Sequence, residues 1–419
     1  MRFRVVLPVL VLALAAPVSA ADAGDGLYDP IAIFLTWQQD PLTTMTIDWH
    51  TEGEDRPVVV HYRKAGEGPW RALGGDTREF PFSERLIHRV ELTGLEPATK
   101  YEFRFGADSK IYNFETMPEN IVEPLRIAIG GDVRHEKEWM DRTNRVAMEY
   151  DPHFIVWLGD LAYADEDPRL NYRWYEFFDS IKETLITEDG QVIPIVVMLG
   201  NHEVVWLPRL ERNDGLHYAE EHGWENHDAI WFYELFAFPK EPGYGTLDFG
   251  DYLSLIILNT DHGEPIEGRQ AEWLEEQLAA RQDIPHVFPM FHVPTFPSVR
   301  DWDTWGSVDV REHWMPIFDE YGVKFVYEAH DHAYKRTEPI RDLRVNDRGT
   351  VYIGDGAWGV GERDIHDPEE TWYLREAKSV RHFILATLQG KHIHHLMVDE
   401  HGNHIDEYPE GIVRMQSAE

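Results

Sequence analysis

The sequence predicts a mixed α/β chain in which a β-sandwich is followed by a larger sandwich built from βαβ units. Residues 27–116 contain short alternating apolar runs separated by turn residues, which is typical of antiparallel strands. From residue 125 onward, apolar runs alternate with helical patterns, which favours a sheet with crossover helices. Five of these later runs end in Asp, Asn or His. The fold therefore predicts a polar site where strands end.

The N-terminal residues 1–20 predict a secretory signal peptide. A basic start, Met1 to Arg4, precedes an apolar stretch from Val5 to Ala16 that is too short to cross a bilayer, and Val18-Ser19-Ala20 fits a cleavage site. An uncleaved anchor is the alternative. The signal peptide predicts an exported protein, periplasmic or extracellular. No later segment of the sequence is a candidate membrane span.

Composition excludes several classes of protein. The chain has no cysteine, which excludes a disulfide scaffold, a thiolate nucleophile and thiolate metal ligands. Its formal net charge of -37 opposes binding to a nucleic acid polymer or an anionic membrane. A small phosphate ester remains compatible as substrate if bound cations reverse the charge locally. The sequence does not indicate an oligomeric state.

Within residues 27–116, Leu95 to Tyr101 resembles the corner of a fibronectin type III domain, with Tyr101 in the tyrosine-corner position. The predicted strands are 31–36, 45–50, 58–63, 85–92, 101–105 and 110–114. No site is predicted in this region, and its histidines are interpreted as ordinary residues of strand faces. The region is expected to pack against the next one.

The rest of the chain is interpreted as one domain, residues 125–419, after a linker at 117–124 that holds Pro118 and Pro124. Helical spacing predicts helices at 136–149 and 268–281. Residues 208–244 form a long insert rich in charged and aromatic residues. It is interpreted either as a lid over the site or as a solvated surface excursion.

Polar side chains follow five apolar runs of this second region. Asp132 and Asp160 each follow a glycine that ends such a run, and Tyr163 lies three residues after Asp160. The other three runs lead into Asn201, into His292, and into His330 with His332. Hard oxygen donors mixed with imidazoles suit Zn, Fe or Mn, and a pair of such cations about 3.5–4 Å apart is a common device for hydrolysing phosphate esters.

These motifs resemble the calcineurin-like metallophosphoesterases and, within them, the purple acid phosphatases. The resemblance runs from Arg126 to the C-terminus and includes a similar domain in front. It implies that Asp132, Tyr163 and His332 hold Fe(III), that Asn201, His292 and His330 hold a divalent Fe, Zn or Mn ion, and that Asp160 bridges the two. It also implies that His202 is the general acid or a phosphate contact. The alternative is that His202 only braces the site through a hydrogen bond to a metal ligand.

Two features depart from the family's pattern. Arg134 stands where relatives commonly have a small residue, and it is interpreted as a phosphate contact or as the partner of an acidic neighbour. His135 is a less favoured ligand. Plant-type relatives carry histidines shortly after the counterpart of His292, whereas residues 293–305 contain none and offer Arg300 among others. Substrate preference is therefore open.

The resemblance implies an exported dimetal phosphatase that hydrolyses phosphate monoesters by attack of a metal-bound hydroxide. A phosphodiesterase or nucleotidase with the same centre is the alternative. A non-catalytic exported binding protein is a third interpretation, suggested by the sandwich region, and the full set of candidate ligands opposes it.

Overall fold

The computed structural model describes residues 28–53, 57–204 and 229–409. The predicted signal peptide and residues 208–228 of the predicted insert lie outside the described residues. No helix in the described part is long and apolar enough to cross a bilayer.

The first region is a sandwich of two four-stranded antiparallel sheets, with strand orders β1-β2-β6-β5 and β4-β3-β7-β8. The predicted strands are all present, whereas β4 and β5 were not predicted because they are largely exposed and lack apolar alternation. The phenolic oxygen of Tyr101 accepts a hydrogen bond from the Glu96 amide at 3.0 Å, as the predicted corner requires. The strands are β1 Ala32–Thr36, β2 Met45–Glu52, β3 Val59–Lys64, β4 Arg71–Gly74, β5 Asp76–Glu79, β6 Arg85–Leu92, β7 Lys100–Arg104 and β8 Tyr112–Glu115.

The second region contains a six-stranded sheet, a seven-stranded sheet and a small two-stranded hairpin. The six-stranded order is β11-β10-β9-β21-β22-β23, and the seven-stranded order is β12-β13-β14-β15-β19-β16-β20. The strands are β9 Leu125–Gly130, β10 Phe154–Trp157, β11 Ile195–Val197, β12 Gly245–Phe249, β13 Leu253–Ile257, β14 His286–Met290, β15 Phe325–Glu328, β16 Tyr334–Thr337, β17 Ile340–Arg341, β18 Arg344–Val345, β19 Val351–Gly354, β20 Leu374–Lys378, β21 His382–Gln389, β22 His392–Asp399 and β23 His404–Tyr408.

The two large sheets pack face to face and are covered by helices on their outer faces. Ile127 and Val156 of one sheet share a buried apolar cluster with Leu255 and Tyr327 of the other. Helices α1 and α2 pack outside the first sheet, and α4 to α6 pack outside the second. The helices are α1 Lys137–Met148, α2 Tyr172–Thr184, α3 Ile230–Leu235, α4 Arg269–Ala280, α5 Ser307–His313 and α6 Met315–Tyr321. Both helices expected from the sequence, α1 and α4, are present.

Strand direction determines where the polar residues gather. In the first sheet β9, β10 and β11 run parallel, and in the second β13, β14, β15 and β19 run parallel. Parallel strands place their carboxyl ends at one edge of a sheet, which is where ligands bind in open α/β sheets. Each sheet therefore delivers its loops to one end of the sandwich.

The described part of the predicted insert, residues 229–244, is not a solvated excursion. Helix α3 is buried, and the Trp231 indole donates to the Pro81 carbonyl of the β-sandwich at 3.1 Å. The Leu235 carbonyl accepts from the Arg89 guanidinium at 2.9 Å. This segment thus joins the two regions, because its apolar side chains need a buried surface.

Candidate metal centre

Three of the predicted ligands, Asp132, Tyr163 and His332, form one contact group. The Tyr163 hydroxyl donates to Asp132 Oδ1 at 3.0 Å, and His332 Nε2 lies 3.0 Å from the same oxygen. The hydroxyl and His332 Nε2 are 3.1 Å apart. These atoms come from loops after β9, β10 and β15, so strand ends of both sheets supply them.

The remaining predicted ligands form a second group around His292. Its Nε2 lies 3.2 Å from Asn201 Oδ1, 3.1 Å from His330 Nδ1 and 3.3 Å from Asp160 Oδ2. The donor atoms of Asp160, His292 and His330 all lie within 4.8 Å of one another, which is compact enough to hold one ion. Val133, which directly follows Asp132, donates its amide to the Asp160 carbonyl at 2.8 Å. The loops that carry the two groups are therefore in direct contact.

Hydrogen bonding shows that the second group fits a cation. His292 Nδ1 lies 2.8 Å from the Leu158 carbonyl, so this nitrogen carries a proton. In neutral His292 the Nε2 lone pair would face Asp160 Oδ2, Asn201 Oδ1 and His330 Nδ1, and a cation placed among these atoms would satisfy them. Carboxylate, phenol, amide and imidazole donors without any thiolate suit Fe, Zn or Mn.

The histidines differ in pKa because their neighbours differ. Burial alone would lower the pKa of His292, but the Asp160 carboxylate outweighs burial and raises it to about 9. Burial and the neighbouring His292 hold the pKa of His330 well below 6.5. In the protein without metal, a proton on His292 thus balances the Asp160 charge, and a metal ion would displace that proton.

Five of the candidate ligands share an unusual backbone conformation. Asp132, Asp160, Tyr163, His330 and His332 all have positive φ, between 53° and 82°. Non-glycine residues rarely adopt this conformation, and strained residues of this kind concentrate at functional sites.

At two positions beside the candidate ligands there is no room for a side chain. A Cβ at Gly356 would lie 1.8 Å from Asp132 Oδ2, and a Cβ at Gly200 would lie 2.3 Å from Asp160 Oδ1. Both positions therefore require glycine, because any side chain would collide with a candidate ligand.

Glu203, for which the sequence suggested no role, holds the Asp160 loop and the Gly200 loop together. Its carboxylate accepts from the amides of Asp160 at 2.7 Å, Leu161 at 2.7 Å and Gly200 at 2.8 Å. Burial and the Asp160 charge raise the pKa of Glu203 to about 7. In the sequence, its position directly after Asn201 and His202 was the available indication that Glu203 lies near the site. Only the fold shows that Glu203 joins two loops.

His202 lies beside the two groups, between carboxylates. Its Nδ1 is hydrogen-bonded to Asp165, and its Nε2 lies 3.8 Å from Asp160 Oδ2. Burial opposes protonation, but Asp160 and Asp165 outweigh it and raise the pKa of His202 above 6.5. The ring also packs on Tyr163, with centroids 4.2 Å apart.

Arg134 and His135 have neighbours outside the two groups. Arg134 is buried and pairs with Glu176 of α2, the acidic-neighbour interpretation of the sequence. Burial, with repulsion from Arg173, lowers the pKa of Arg134 to about 10. His135 stacks edge-on against Tyr163 and lies 3.6 Å from Glu136.

A cavity of about 390 Å³ opens beside the second group. Asn201, His202 and His330 form one wall, and Arg300 and Trp305 lie on others. His262, which the sequence did not single out, also lines the cavity and packs against His292 with ring centroids 5.6 Å apart. Its position after the apolar run of β13 was the only signal.

Two family models match this chain. The model described as "Purple acid Phosphatase, N-terminal domain" matches residues 30–116, and the model described as "Calcineurin-like phosphoesterase" matches residues 125–334, half of the chain. The second match spans the loops that carry Asp132, Asp160, Asn201, His292 and His330.

Similar proteins agree with both models. Purple acid phosphatase 22 of Arabidopsis thaliana is 26% identical over 84% of this chain and 78% of its own length. Acid phosphatase type 7 of Mus musculus is 24% identical over 90% of each chain.

Among solved structures, a purple acid phosphatase from yellow lupin seeds superposes with a TM-score of 0.73 at 19% identity, covering 90% of this chain and 73% of that one. This likeness supports the fold. The family models and the similar proteins oppose the interpretation as a non-catalytic binding protein, and the chain belongs to the purple acid phosphatase family of calcineurin-like, metal-dependent phosphoesterases.

Proposed function

We propose that this protein is an exported phosphomonoesterase with Fe(III) in one position and a divalent Fe, Zn or Mn ion in the other. The observation that carries the proposal is the convergence of Asp132, Tyr163 and His332 beside Asn201, His292 and His330, with Asp160 at their junction. We assign the first three residues to Fe(III), the second three to the divalent ion and Asp160 to both. The proposed domains are residues 27–116 and 125–419, joined by 117–124.

When bound, two such cations supply a water nucleophile near neutral pH and offset the charge of the phosphoryl oxygens. The chain's own residues must then handle the leaving group. We assign that role to His202, because Asp165 engages Nδ1 and leaves Nε2 facing the site. A protonated Nε2 donates to the ester oxygen as the P–O bond breaks. The raised pKa of His202 keeps this proton in place under acidic conditions.

The role of Tyr163 distinguishes a centre that contains Fe(III) from a centre that contains only colourless metal ions. A phenolate is a hard donor that suits Fe(III), and its charge transfer to Fe(III) absorbs visible light in this family. Without metal, burial and the Asp132 and Asp160 charges hold the pKa of Tyr163 well above 10, so the phenol needs a cation to ionise.

The test is metal analysis and a visible spectrum of the purified protein, with Tyr163→Phe as the variant. We expect iron plus a second metal, a visible band in the wild type and loss of that band in the variant. Tyr175→Phe, a tyrosine bonded to Ser83 away from the centre, is the control and should keep the band. An active, iron-replete protein without a band, or a band that survives Tyr163→Phe, contradicts the assignment.

Monoester preference and export need separate measurements. We expect hydrolysis of phenyl phosphate to exceed that of bis(p-nitrophenyl) phosphate, and the reverse order would favour a phosphodiesterase. For export, expression of the full chain should yield a mature protein outside the cytoplasm that starts at Ala21. A protein that retains Met1 in the cytoplasm contradicts the proposed signal peptide.

A further inference from the structure

Helix α2 (Tyr172–Thr184) lies between the β-sandwich and the loops that carry the first ligand group, Asp132, Tyr163 and His332. The helix supplies no candidate ligand itself. Residues three or four positions apart lie on the same side of a helix, whereas residues two or five positions apart point to different sides. The contacts of α2 can therefore be separated by face, and its two faces have different neighbours.

One face of α2 is anchored on the sandwich. The Phe178 ring stacks on Phe34 of β1 with centroids 5.2 Å apart, and it packs edge-on against His50 of β2 with centroids 4.5 Å apart. Near the end of the helix, the Lys182 ammonium lies 3.1 Å from the Asp29 carboxylate. Because Phe178 is fully buried in these contacts, the sandwich determines where the helix lies.

Another face of α2 reaches two loops of the first ligand group through Arg173 and Glu176, which are three positions apart. Arg173 Nη1 donates to the Tyr163 carbonyl at 2.7 Å. Glu176 pairs with the buried Arg134 guanidinium, and Arg134 lies two residues after Asp132. One turn of this helix therefore holds both the loop after β10 and the loop after β9.

The hydrogen bond from Arg173 stabilises an unfavourable backbone conformation at Tyr163. The φ of Tyr163 is 56°, in the left-handed region that residues other than glycine adopt at an energetic cost. Such a conformation persists only where the surrounding contacts determine it. A guanidinium bonded to the carbonyl of the same residue is a contact of this kind. It fixes the direction in which the Tyr163 side chain leaves the backbone.

Arg173 lies where electrostatics alone would not place a cation. Among the described residues it has no carboxylate partner, and its Nε is buried without a hydrogen-bond partner. Burial, with repulsion from Arg173, lowers the pKa of Arg134 to about 10 and also lowers the pKa of His135. A positive charge beside other basic groups and a candidate metal centre is unfavourable. The hydrogen bond to the Tyr163 carbonyl is the contact that offsets this cost.

We propose that Arg173 is a positioning residue for the candidate metal ligand Tyr163, and that α2 transmits the support of the β-sandwich to this loop. The sandwich then has a role in the metal centre, although none of its described residues is a candidate ligand. Arg173 acts through the backbone of the loop and is not itself a ligand. This inference rests on the proposed assignment of Tyr163 to Fe(III).

The test compares the visible band, the iron content and kcat of the wild type with those of Arg173→Met and Arg173→Lys. Methionine keeps most of the side-chain length but removes every donor, whereas lysine keeps a charged donor. We expect Arg173→Met to shift the band maximum, to weaken iron binding and to lower kcat about 10- to 100-fold, the range for residues that orient metal ligands. Arg173→Lys should restore part of each. Lys182→Met, which removes a cation from the sandwich face of the same helix, is the control and should leave the band and kcat unchanged.

Amide hydrogen exchange tests the same contact in the metal-free protein. It is measured in the peptide of residues 158–166, where the amides of Leu158, Asp160 and Leu161 are hydrogen-bonded. Loss of a charged hydrogen bond should raise exchange in this peptide about 10- to 100-fold in Arg173→Met, and Lys182→Met should not change it. Exchange in β6 of the sandwich should be the same in all variants, which shows that the fold is retained.

These measurements separate the proposal from the proposed function. If the wild type has a visible band and the band keeps its position in Arg173→Met, the proposal is overturned, because Arg173 then only stabilises the fold. Unchanged exchange in residues 158–166 overturns it as well. If the wild type has no visible band, the Fe(III) assignment fails, while faster exchange of this peptide in Arg173→Met still supports the positioning of the loop.

Discussion

The β-sandwich and the metal-site region both bury histidine completely, and they treat it in opposite ways. His50 and His292 are each 0% exposed. His50 sits among the rings of Phe34, Phe80 and Phe178, and burial holds its pKa well below 6.5. His292 faces Asp160, which raises its pKa to about 9. Burial is common to both, so the partner determines whether a buried histidine is a packing residue or a charged one.

Buried carboxylates show the same contrast. Asp48 of the sandwich pairs with Arg89 within hydrogen-bonding distance, 2.6 Å, so its partner is a fixed protein cation. Asp160 of the second region faces the imidazoles of His292 and His202, and with His292 and His330 it forms a group that fits a metal ion. We infer that buried charge in the sandwich serves stability and that buried charge at the strand ends serves metal binding.

The largest expected effect comes from Asp160→Asn. Because Asp160 is proposed to bind both metals, this change should lower the content of both metals and abolish nearly all turnover. Asp48→Asn is the matched control: it should destabilise the fold by about 3 kcal/mol, since Arg89 loses its charged partner, while keeping metals and kcat. Metal analysis, kcat and urea unfolding measure the contrast. An Asp160→Asn protein with two metals and most of its activity would refute the shared-ligand assignment.

His202→Ala should reduce turnover by about 10²- to 10⁴-fold, the range for general acid–base catalysis, with both metals retained. The loss should shrink for esters with good leaving groups, such as p-nitrophenyl phosphate, since these need no proton. Steady-state kinetics over a series of leaving groups tests this. His88→Ala, a sandwich histidine bonded to Thr51, is the control and should leave kcat unchanged. An equal loss for poor and good leaving groups would indicate phosphate binding or bracing instead.

Lys335→Met probes the buried charges beneath the site. Lys335 is 0% exposed and lies 2.6 Å from Glu328 and 3.5 Å from Asp355. Methionine leaves two buried carboxylates without their cation, so unfolding free energy should fall by about 3–5 kcal/mol. Urea unfolding measures the loss, and Lys335→Arg should lose less because it keeps the charge. Equal stability of wild type and Lys335→Met would show that those carboxylates are already neutral.

The smallest effect is the pH response of His50. Its folded pKa lies below the unfolded value of 6.5, so its contribution to stability is full above pH 6.5 and is lost as pH falls below it. At pH 5 this costs the wild type up to about 2 kcal/mol. His50→Leu should remove that component, so the variant should lose less stability than the wild type between pH 7.5 and 5. Identical pH slopes in thermal or urea unfolding would contradict the neutral, buried state of His50.

Much of this molecule could be predicted from residue pattern alone. Apolar runs ending in Gly-Asp, Gly-Asn-His and His-x-His indicated strands with polar ends. A buried strand is visible in the sequence because it needs a short apolar run or an alternation of apolar and polar residues. Strands β4 and β5 escaped prediction for the converse reason, since an exposed strand has no apolar face to reveal it. Tyr101 was predictable because its partner Glu96 lies only five residues away.

The sequence by itself determined the fold class, the strand-end positions of the predicted ligands and the absence of thiolate chemistry. Only the tertiary structure decided which residues meet across the chain. Arg134 pairs with Glu176, Glu203 braces the Asp160 loop, and Arg300 and Arg363 converge on His330 from segments more than sixty residues apart. Sequence pattern records local periodicity, whereas contacts between loops depend on how two sheets bring their edges together. These contacts between loops determine which partner a charged residue has, and therefore what role it plays.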